Sequence, residues 1–536
     1  MSLRLSLSAL ALLVCLAGPA LAEPPANFDA RVEAIRTQVG APGMAVAIVE
    51  NGRVALARGY GLRRLDRASD RVDADTIFEI GSLSKAFTSA ALAVLVDRGK
   101  IGWDDRVIDH MPWFQMYDPY VTREMTIRDL LVHRSGLGLG QGDLMLVPRS
   151  SRTRRELVAS LRYLAPKTSF RSGYAYDNVL YAAVGQLIEE VSGQSWEQFV
   201  RENVLAPAGM RTATADRDSR RRANNRAWPH TRLDGPMHGM GAQILLDDSG
   251  HAEFDPNLAE AANPAGGIAA SANDMAHWIE VQLAHGAKPD GGGRVFSEAA
   301  SAEMWRPQVH VPIRQAPAPV AAATPQFDAY ALGWMERDYR GHRLLMHTGA
   351  VFGEQSILIL IPERNVGFAV MINCDDGEAA LGIAYELLDH YLGLPYYDWG
   401  AAWQSFVKTR DAAAVAMLQQ QQSAPAQGRP SLPLERYAGD YRDPWYGSIS
   451  VSMRDGSLYV DFKQTPGMSG PLTHWQYDTF RVDWRDRLIE PAYMTFLLNA
   501  QGAVERIEMK AVSPLADFSF DYQDLQFEPV ARTPAQ

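Results

Sequence analysis

The sequence predicts two folded units: a mixed α/β domain, in which helices flank an antiparallel sheet, and a small all-β barrel after it. Strand-like apolar runs lie at both ends of the first unit with helical patterns between them, so its own two ends complete the sheet. Short runs separated by turn signals fill the second unit, which favours an antiparallel barrel or sandwich. A chain of 536 residues, 47% of them hydrophobic, can supply both cores.

Shifts in composition set the predicted boundaries. We expect a signal peptide at 1–22, the mixed domain at 23–395, a helical segment and linker at 396–432 and the barrel at 433–530. The linker is predicted from Gln419 to Pro433, where Gln, Ser, Pro, Ala and Gly leave little to bury.

The first residues have the three parts of an export signal. Arg4 gives the positive start, Leu5 to Leu16 form an apolar stretch too short to span a bilayer, and Ala20-Leu21-Ala22 is a small-residue cleavage site. We therefore expect a mature chain that begins near Glu23 and is periplasmic or secreted. Lipid attachment at Cys15 is the alternative, disfavoured by the bulky residue before it.

Charge and cysteine content exclude several classes of protein. A net charge of −11 disfavours nucleic acid as a partner, because phosphate binding needs clustered basic side chains. The short run Arg220 to Arg222 is predicted to be a solvated loop. Without the signal only Cys374 of the two cysteines remains, as a small buried hydrophobe, so no intramolecular disulfide is expected. No later run is apolar enough for a transmembrane span.

The first unit opens with a predicted hairpin, Val46 to Glu50 and Val54 to Tyr60, joined through Asn51-Gly52, which accepts the positive φ angles of a tight turn. Ser84 to Val96 is apolar on nearly every face and ends at Gly99, which predicts a central helix buried all round. The other predicted elements are helices at Thr126 to Val132, Val179 to Val191 and Asp274 to Ala284, then strands at Arg343 to His347, Ser356 to Ile361 and Val366 to Ile372.

The second unit shows seven short runs with strand character. They are Tyr437 to Tyr441, Ile449 to Met453, Leu458 to Phe462, Phe480 to Trp484, Met494 to Leu498, Val504 to Met509 and Phe518 to Tyr522.

Ser82-Leu83-Ser84-Lys85 stands at the start of the central helix. Residues three apart on a helix share a face, so the Lys85 amine can reach the Ser82 hydroxyl. Free N–H groups at a helix start favour a developing oxyanion, and apolar surroundings favour the neutral amine that can accept a proton. The alternative is an N-cap serine beside a snorkelling lysine. A second S-x-x-K match, Ser405 to Lys408, is predicted to be solvated surface.

Two later motifs accompany the first in chain order: Tyr176-Asp177-Asn178 and His347-Thr348-Gly349. Together the three resemble the signature of the serine β-lactamase-like and penicillin-binding protein family, in the branch of class C β-lactamases, D,D-peptidases, esterases and D-aminopeptidases. The resemblance extends over most of Asn27 to Leu394 and implies a β-lactamase-like mixed domain. The second unit resembles the lipocalin-like barrel appended to some relatives. The flanking text that also matches is Leu130 to Leu137, Gly209-Met210, Gly266-Gly267 and Tyr330 to Trp334.

The resemblance implies a role for each motif residue. Ser82 would attack a carbonyl carbon while Lys85 and Tyr176 manage its proton. The N–H groups of Ser82 and Ala350 would form the oxyanion hole. Substrate would be bound by Asn178, His347, Thr348 and Gly349. No metal and no cofactor is expected.

Some of these residues have structural alternatives. Tyr176 could be a packing aromatic, and Asn178 could cap the helix after it. His133 is predicted to be structural. His347 stands where many relatives carry lysine and offers no permanent cation to a substrate carboxylate, so Arg343, on the same predicted strand face, is a candidate to supply charge.

The sequence thus predicts an exported serine hydrolase that forms an acyl-enzyme on Ser82 and acts on esters, D-amino-acid peptides or amides, or β-lactams. The substrate would be a small molecule or short peptide. The alternative is a non-catalytic receptor for penicillin or peptidoglycan fragments. No G-x-S-x-G or H-E-x-x-H motif points elsewhere. The barrel is expected to be structural or to border the cleft, with sugar or lipid binding as the alternative. Oligomeric state stays open.

Overall fold

The structure is a computed structural model that describes residues 23–246, 254–423 and 428–530. The predicted signal peptide at 1–22, with Cys15, lies outside the described residues. Within the described ranges no helix is long and apolar enough to cross a membrane.

The α-helices, numbered α1 to α14 in chain order, are Phe28–Val39, Ser84–Asp97, Val107–His110, Pro119–Glu124, Ile127–Leu131, Arg154–Ser160, Val179–Ser192, Trp196–Val200, Arg217–Arg222, Asn263–Gly266, Ala272–Leu283, Glu298–Met304, Glu378–Leu392 and Trp399–Ser423.

The strands, numbered β1 to β20, are Gly43–Glu50, Arg53–Gly61, Phe78–Glu79, His230–Arg232, Gln243–Leu245, Ala269–Ala270, Val309–His310, Asp328–Tyr330, Met335–Tyr339, His342–Val351, Glu354–Ile361, Val366–Ile372, Gly439–Asp443, Gly447–Arg454, Ser457–Phe462, Ser469–Gln476, Thr479–Val482, Ala492–Leu498, Val504–Ala511 and Gln526–Pro529.

The main sheet of the first unit is antiparallel, and its strands lie in the order β2-β1-β12-β11-β10-β9-β8-β7. The terminal hairpin therefore pairs with the last strand, as the sequence predicted. Asn51 and Gly52 turn that hairpin with φ of 51° and 71°. The predicted fold class, an antiparallel sheet with helices and a barrel after it, is confirmed.

Strand β1 separates two apolar cores, because successive side chains of a strand point to opposite faces. Ala45, Ala47 and Val49 pack with the core that contains α2, α7 and α11. Met44, Val46 and Ile48 pack with the core that contains α1 and α13. Both faces of the sheet are covered, so β1 is buried along its whole length.

Helix α2 lies in the larger core, with twelve of its residues from Ser84 to Leu95 buried. Polar side chains there cannot reach bulk water, so each needs a partner inside the protein. The candidate nucleophile motif therefore lies at the start of α2, a helix that has little access to solvent.

The second unit is a closed barrel in which β13 to β20 are paired antiparallel in chain order and β20 returns to β13. A strand at Ser469–Gln476 was missed, because Gly470 and Pro471 give it the composition of a turn. The strand predicted at Phe518 to Tyr522 is wrong: those residues leave the barrel wall between β19 and β20. Helix α14 runs to Ser423, inside the stretch predicted as linker, since Gln and Ala are good helix formers.

The loop predicted at Arg220 to Arg222 is also wrong. These residues end the short helix α9, which Asp216 caps by accepting from the Ser219 N–H at 2.7 Å. Arg220 is buried and lies 2.6 Å from the Glu79 carboxylate. Long-range ion pairing, which no local pattern encodes, therefore buries one arginine of the run.

The barrel is fastened to the first unit through the loop between β19 and β20. The buried Asp521 carboxylate accepts from the backbone N–H groups of Gly142 at 2.6 Å and Leu144 at 2.9 Å. Lys167 forms an ion pair with Asp524 at 2.6 Å. Phe520 of the same loop packs near Phe352, with ring centroids 6.4 Å apart. Polar and apolar contacts therefore both join the two units.

We expect Asp521→Ala to lower the free energy of unfolding by about 2–4 kcal/mol, because it leaves two buried N–H donors without an acceptor. Urea unfolding followed by tryptophan fluorescence would measure it. The control is Glu505→Ala, at an exposed position of the same unit, with an expected loss within about 0.5 kcal/mol. Equal losses in the two variants would contradict the anchoring role of Asp521.

Candidate active site

Ser82 and Lys85 meet where a 3-10 turn, Gly81–Leu83, leads into α2. Lys85 Nζ lies 2.9 Å from Ser82 Oγ, 2.7 Å from Asn178 Oδ1 and 3.0 Å from the Ala265 carbonyl oxygen. An ammonium has three donors, and these three acceptors match them. Lys85 is fully buried rather than snorkelling to the surface, so the structural alternative for this motif does not describe its side chain.

Burial lowers the pKa of Lys85 to about 7, although Asp143 and Asp177 oppose the change by stabilising the charged form. Near neutral pH the amine is therefore divided between neutral and protonated forms. A neutral amine 2.9 Å from a hydroxyl can accept its proton, which is the contact that activation of a serine nucleophile requires.

Tyr176 approaches the same hydroxyl, with its Oη 2.9 Å from Ser82 Oγ. The Lys85 nitrogen lies 4.9 Å from the centre of the Tyr176 ring. Burial raises the pKa of Tyr176 well above its ordinary value, so the phenol keeps its proton at neutral pH and acts as a donor. The structure thus brings Lys85 and Tyr176 both within hydrogen-bond reach of the Ser82 hydroxyl.

Aromatic rings pack near Tyr176 and restrict its position. His133 is buried, with its ring centroid 4.3 Å from that of Tyr176 and 4.4 Å from that of Tyr330. Its Nδ1 accepts from the Asp177 N–H at 3.2 Å, and burial lowers its pKa well below the ordinary value. His133 is a neutral packing residue in this position.

Asn178 connects the lysine to a carboxylate that no motif had indicated. It stands at the start of α7, but its side chain makes no capping hydrogen bond. Instead Oδ1 accepts from Lys85, and Nδ2 donates to Asp143 Oδ2 at 2.7 Å. Asp143 also accepts from the Asn178 N–H at 3.2 Å and from Ser519 Oγ at 3.1 Å. Burial raises the pKa of Asp143 to about 7.

Strand β10 brings the third motif beside the nucleophile turn. A Cβ at Gly81 would lie 2.5 Å from the Ala350 nitrogen, and one at Gly349 would lie 2.0 Å from the Ile80 carbonyl oxygen. Both glycines therefore permit close backbone contact, which brings the Ser82 turn beside Ala350. Gly349 is buried, and its contribution is this close contact with the Ile80 backbone. Ser82 and Ala350 both line the cleft.

His347 and Thr348 differ in their exposure to the cleft. Thr348 is exposed there, whereas His347 is buried, with Nδ1 2.6 Å from the Thr348 carbonyl oxygen and Nε2 2.9 Å from Tyr330 Oη. Because a carbonyl only accepts, we assign the ring proton to Nδ1, so that Nε2 accepts from Tyr330. Burial lowers the pKa of His347 to about 3, so the ring is neutral.

The cleft is a cavity of about 290 Å³. Among its described lining residues no arginine or lysine is present, and Asp517 is the charged one. Arg343 pairs with Glu336 at 2.6 Å on the sheet surface and does not line the cavity, so the suggestion that it supplies charge is wrong. A larger groove of about 1170 Å³ lies apart from Ser82, lined by arginine and acidic side chains that pair with one another.

The barrel also contributes to the cleft that Ser82 lines, through Asp517, Phe518 and Ser519. These three residues and Asp143 were not predicted, since their contacts with the motif residues are long-range. Within residues 23–246, 254–423 and 428–530 no group of three His, Cys, Asp or Glu side chains could hold a metal ion.

Comparisons with known families agree with this architecture. A family model described as Beta-lactamase matches residues 28–385, and one described as a domain of unknown function (DUF3471) matches residues 423–529. The predicted family resemblance is confirmed.

Curated relatives include a hydrolase and a penicillin-binding protein. Unguisins hydrolase ungD of Aspergillus violaceofuscus is 27% identical over 457 residues, 78% of this chain and 75% of the relative. Penicillin-binding protein 4 of Amycolatopsis lactamdurans is 28% identical over 386 residues, 69% of this chain and 89% of the relative.

Two solved structures share the fold. The octameric penicillin-binding protein homologue from Pyrococcus abyssi has a TM-score of 0.58 at 19% identity, covering 94% of this chain and 99% of that one. A class C β-lactamase from Rhodobacter sphaeroides has a TM-score of 0.52 at 20% identity, covering 68% of this chain and 100% of that one.

The Asp177 carboxyl makes the free energy of unfolding depend on pH. It is fully buried beside Asp143, and burial raises its pKa to about 8. In the unfolded chain an aspartate titrates near about 3.9, so between roughly pH 4 and pH 8 the unfolded state has lost a proton that the folded state keeps. This group therefore makes the protein less stable as pH rises through that window.

We expect Asp177→Asn, which cannot ionise, to be more stable relative to wild type at about pH 8 than at about pH 5. Urea unfolding at both pH values measures the difference. Gln501→Ala, at an exposed position that carries no titratable group, is the control and should show no such trend. A difference between Asp177→Asn and wild type that is constant with pH would disprove the prediction.

Proposed function

The chain belongs to the Beta-lactamase family, which with its penicillin-binding relatives points to serine hydrolase activity, and from this premise we propose that it forms an acyl-enzyme on Ser82 and hydrolyses it with water. One observation carries the proposal: Ser82 Oγ lies 2.9 Å from both the Lys85 amine and the Tyr176 hydroxyl. Such a hydroxyl has a proton acceptor on one side and a donor on the other.

In the proposed reaction Ser82 Oγ attacks the substrate carbonyl carbon while its proton passes to neutral Lys85 Nζ. The carbonyl oxygen becomes an oxyanion, which the N–H groups of Ser82 and Ala350 stabilise. Tyr176 donates its own proton to the leaving alcohol or amine as the bond to that group breaks, and the phenolate takes back the proton that Lys85 received. Water then attacks the acyl carbon, gives up one proton through the same residues, and releases an acid and free Ser82.

Asp143 has an electrostatic part in this proposal. When Lys85 holds the proton its charge is buried, and the Asp143 carboxylate, joined to it through Asn178, is the counter-charge. Coulombic attraction between Asp143 and Lys85 lowers the cost of that intermediate state, as it also raises the pKa of Lys85 against burial.

The residues that line the cleft favour substrates without a negative charge. His347 is uncharged, and the described lining offers no arginine or lysine to a substrate carboxylate. Asp517 at the same cleft repels such a group. We propose esters and amides, including those of D-amino acids, as the main substrate class, with carboxylate-bearing β-lactams as poorer substrates. The cavity volume of about 290 Å³ suits a small molecule or short peptide.

Export is part of the proposal and depends on the sequence of 1–22 alone. The charged start, short apolar stretch and small-residue site support delivery to the periplasm or outside the cell.

The proposed activity is tested with methyl esters, D-amino-acid amides and a chromogenic cephalosporin. We expect wild type to hydrolyse the esters or amides with a kcat/KM that rises with pH through about 7, because Lys85 must lose its proton to act. Ser82→Ala should lower the rate by about a thousandfold or more. Unaltered ester hydrolysis in Ser82→Ala would refute the proposal, and stable labelling of Ser82 by penicillin without turnover would favour a receptor.

The charge of position 347 gives a sharper prediction. We expect His347→Lys to raise kcat/KM for a carboxylate-bearing β-lactam by about tenfold relative to the methyl ester of the same compound, since a hydrogen bond to a charged group contributes about 1.5–3 kcal/mol. His347→Gln is the control because it is polar but uncharged. The prediction fails if the two variants give the same ratio of acid to ester.

A further inference from the structure

The loop between β19 and β20 leaves the barrel and borders the cleft. Asp517, Phe518 and Ser519 line the same cavity as Ser82. The ring of Phe518 lies 5.8 Å from that of Tyr176, centroid to centroid, at an interplanar angle of 81°. The barrel therefore places an aromatic ring beside the phenol that contacts the candidate nucleophile.

The loop is held by two residues that follow Phe518 in the chain. Ser519 Oγ donates to Asp143 Oδ2 at 3.1 Å, and Asp521 accepts from the N–H groups of Gly142 and Leu144. Ser519 and Asp521 are both buried. These hydrogen bonds attach the loop to the same Asp143 segment that positions Asn178.

Close packing further restricts the position of Phe518. A Cβ at Gly140 would lie 2.6 Å from Phe518 Cδ2 and 2.6 Å from its carbonyl oxygen. Gly140 has φ of 66°, which favours glycine, and it admits the loop only because it has no side chain. Phe518 is thus held against a fixed backbone.

Phe518 is nevertheless 39% exposed, unlike its neighbours Phe520 and Tyr522. An aromatic side chain left open in a cleft does not fill the core, and a ligand that covers it is favoured because apolar surface is then removed from water. Phe518 lines the cavity in which a substrate held on Ser82 would lie.

We propose that Phe518 is a specificity-determining residue, delivered to the Ser82 site by the C-terminal barrel, that favours substrates with an apolar group near the scissile bond. This inference rests on the proposed function, because it needs a substrate at Ser82. Phe518 takes no proton and makes no bond; it contacts the part of the substrate beside the reacting carbonyl.

The test compares three esters whose leaving alkoxides have similar reactivity: methyl acetate, methyl phenylacetate and benzyl acetate. The last two place an aromatic ring on the acyl side or on the alcohol side. We expect Phe518→Ala to lower kcat/KM for one or both aromatic esters by about tenfold relative to methyl acetate, and Phe518→Leu to lower it less. Circular dichroism and thermal melting establish that each variant is folded.

Leu515→Ala is the matched control. Leu515 is an exposed apolar residue of the same loop that does not line the cavity, so its ratios should equal those of wild type. Ratios unchanged in both Phe518 variants would overturn the inference while Ser82-dependent hydrolysis stands. Faster turnover of the aromatic esters by Phe518→Ala would also overturn it, by assigning the ring to steric exclusion. Absence of Ser82-dependent hydrolysis in wild type would overturn the proposed function and the inference together.

Discussion

The burial of one amine, Lys85 Nζ, constrains much of this structure. A lysine nitrogen placed in the core has lost its water, so it needs polar partners on several sides. Ser82, Asn178 and the Ala265 carbonyl provide them, each from a different part of the chain. Ser82 is a local partner, three residues away, whereas the long-range packing around α2 brings the other two acceptors, Asn178 and Ala265, to the same nitrogen.

The charges around this amine are balanced by the same burial. Desolvation lowers the pKa of Lys85 and raises those of Asp143 and Asp177, so all three move towards neutrality. Groups that interact this strongly titrate as a set. Near neutral pH the site can therefore gain or lose a proton, which a group proposed to accept the serine proton must do.

The contact between Ser82 and Lys85 was predictable from their spacing, because residues three apart on a helix share a face. Tyr176 and Asn178 were identified through the family resemblance of the three motifs in chain order, which the spacing of the residues alone does not provide. The contacts of the loop between β19 and β20 were not predictable, because they join residues that are far apart along the chain. Ser519 and Asp143 are separated by 376 positions, and Asp521 and Gly142 by 379. The alternation in Phe518 to Tyr522 is typical of a strand, and period alone cannot tell a barrel wall from a loop that buries its polar residues elsewhere.

The contacts that anchor the loop between β19 and β20 determine which residues the first unit must carry for the loop to pack against it. Asp521 binds backbone N–H groups, which every residue but proline offers, so those bonds do not depend on side chains at 142 and 144. Gly140 is different, since any side chain there would meet Phe518. A single glycine thus decides whether the barrel loop can enter the cleft. The site that faces substrate is then a property of both units, although the residues that contact Ser82 Oγ come from one of them.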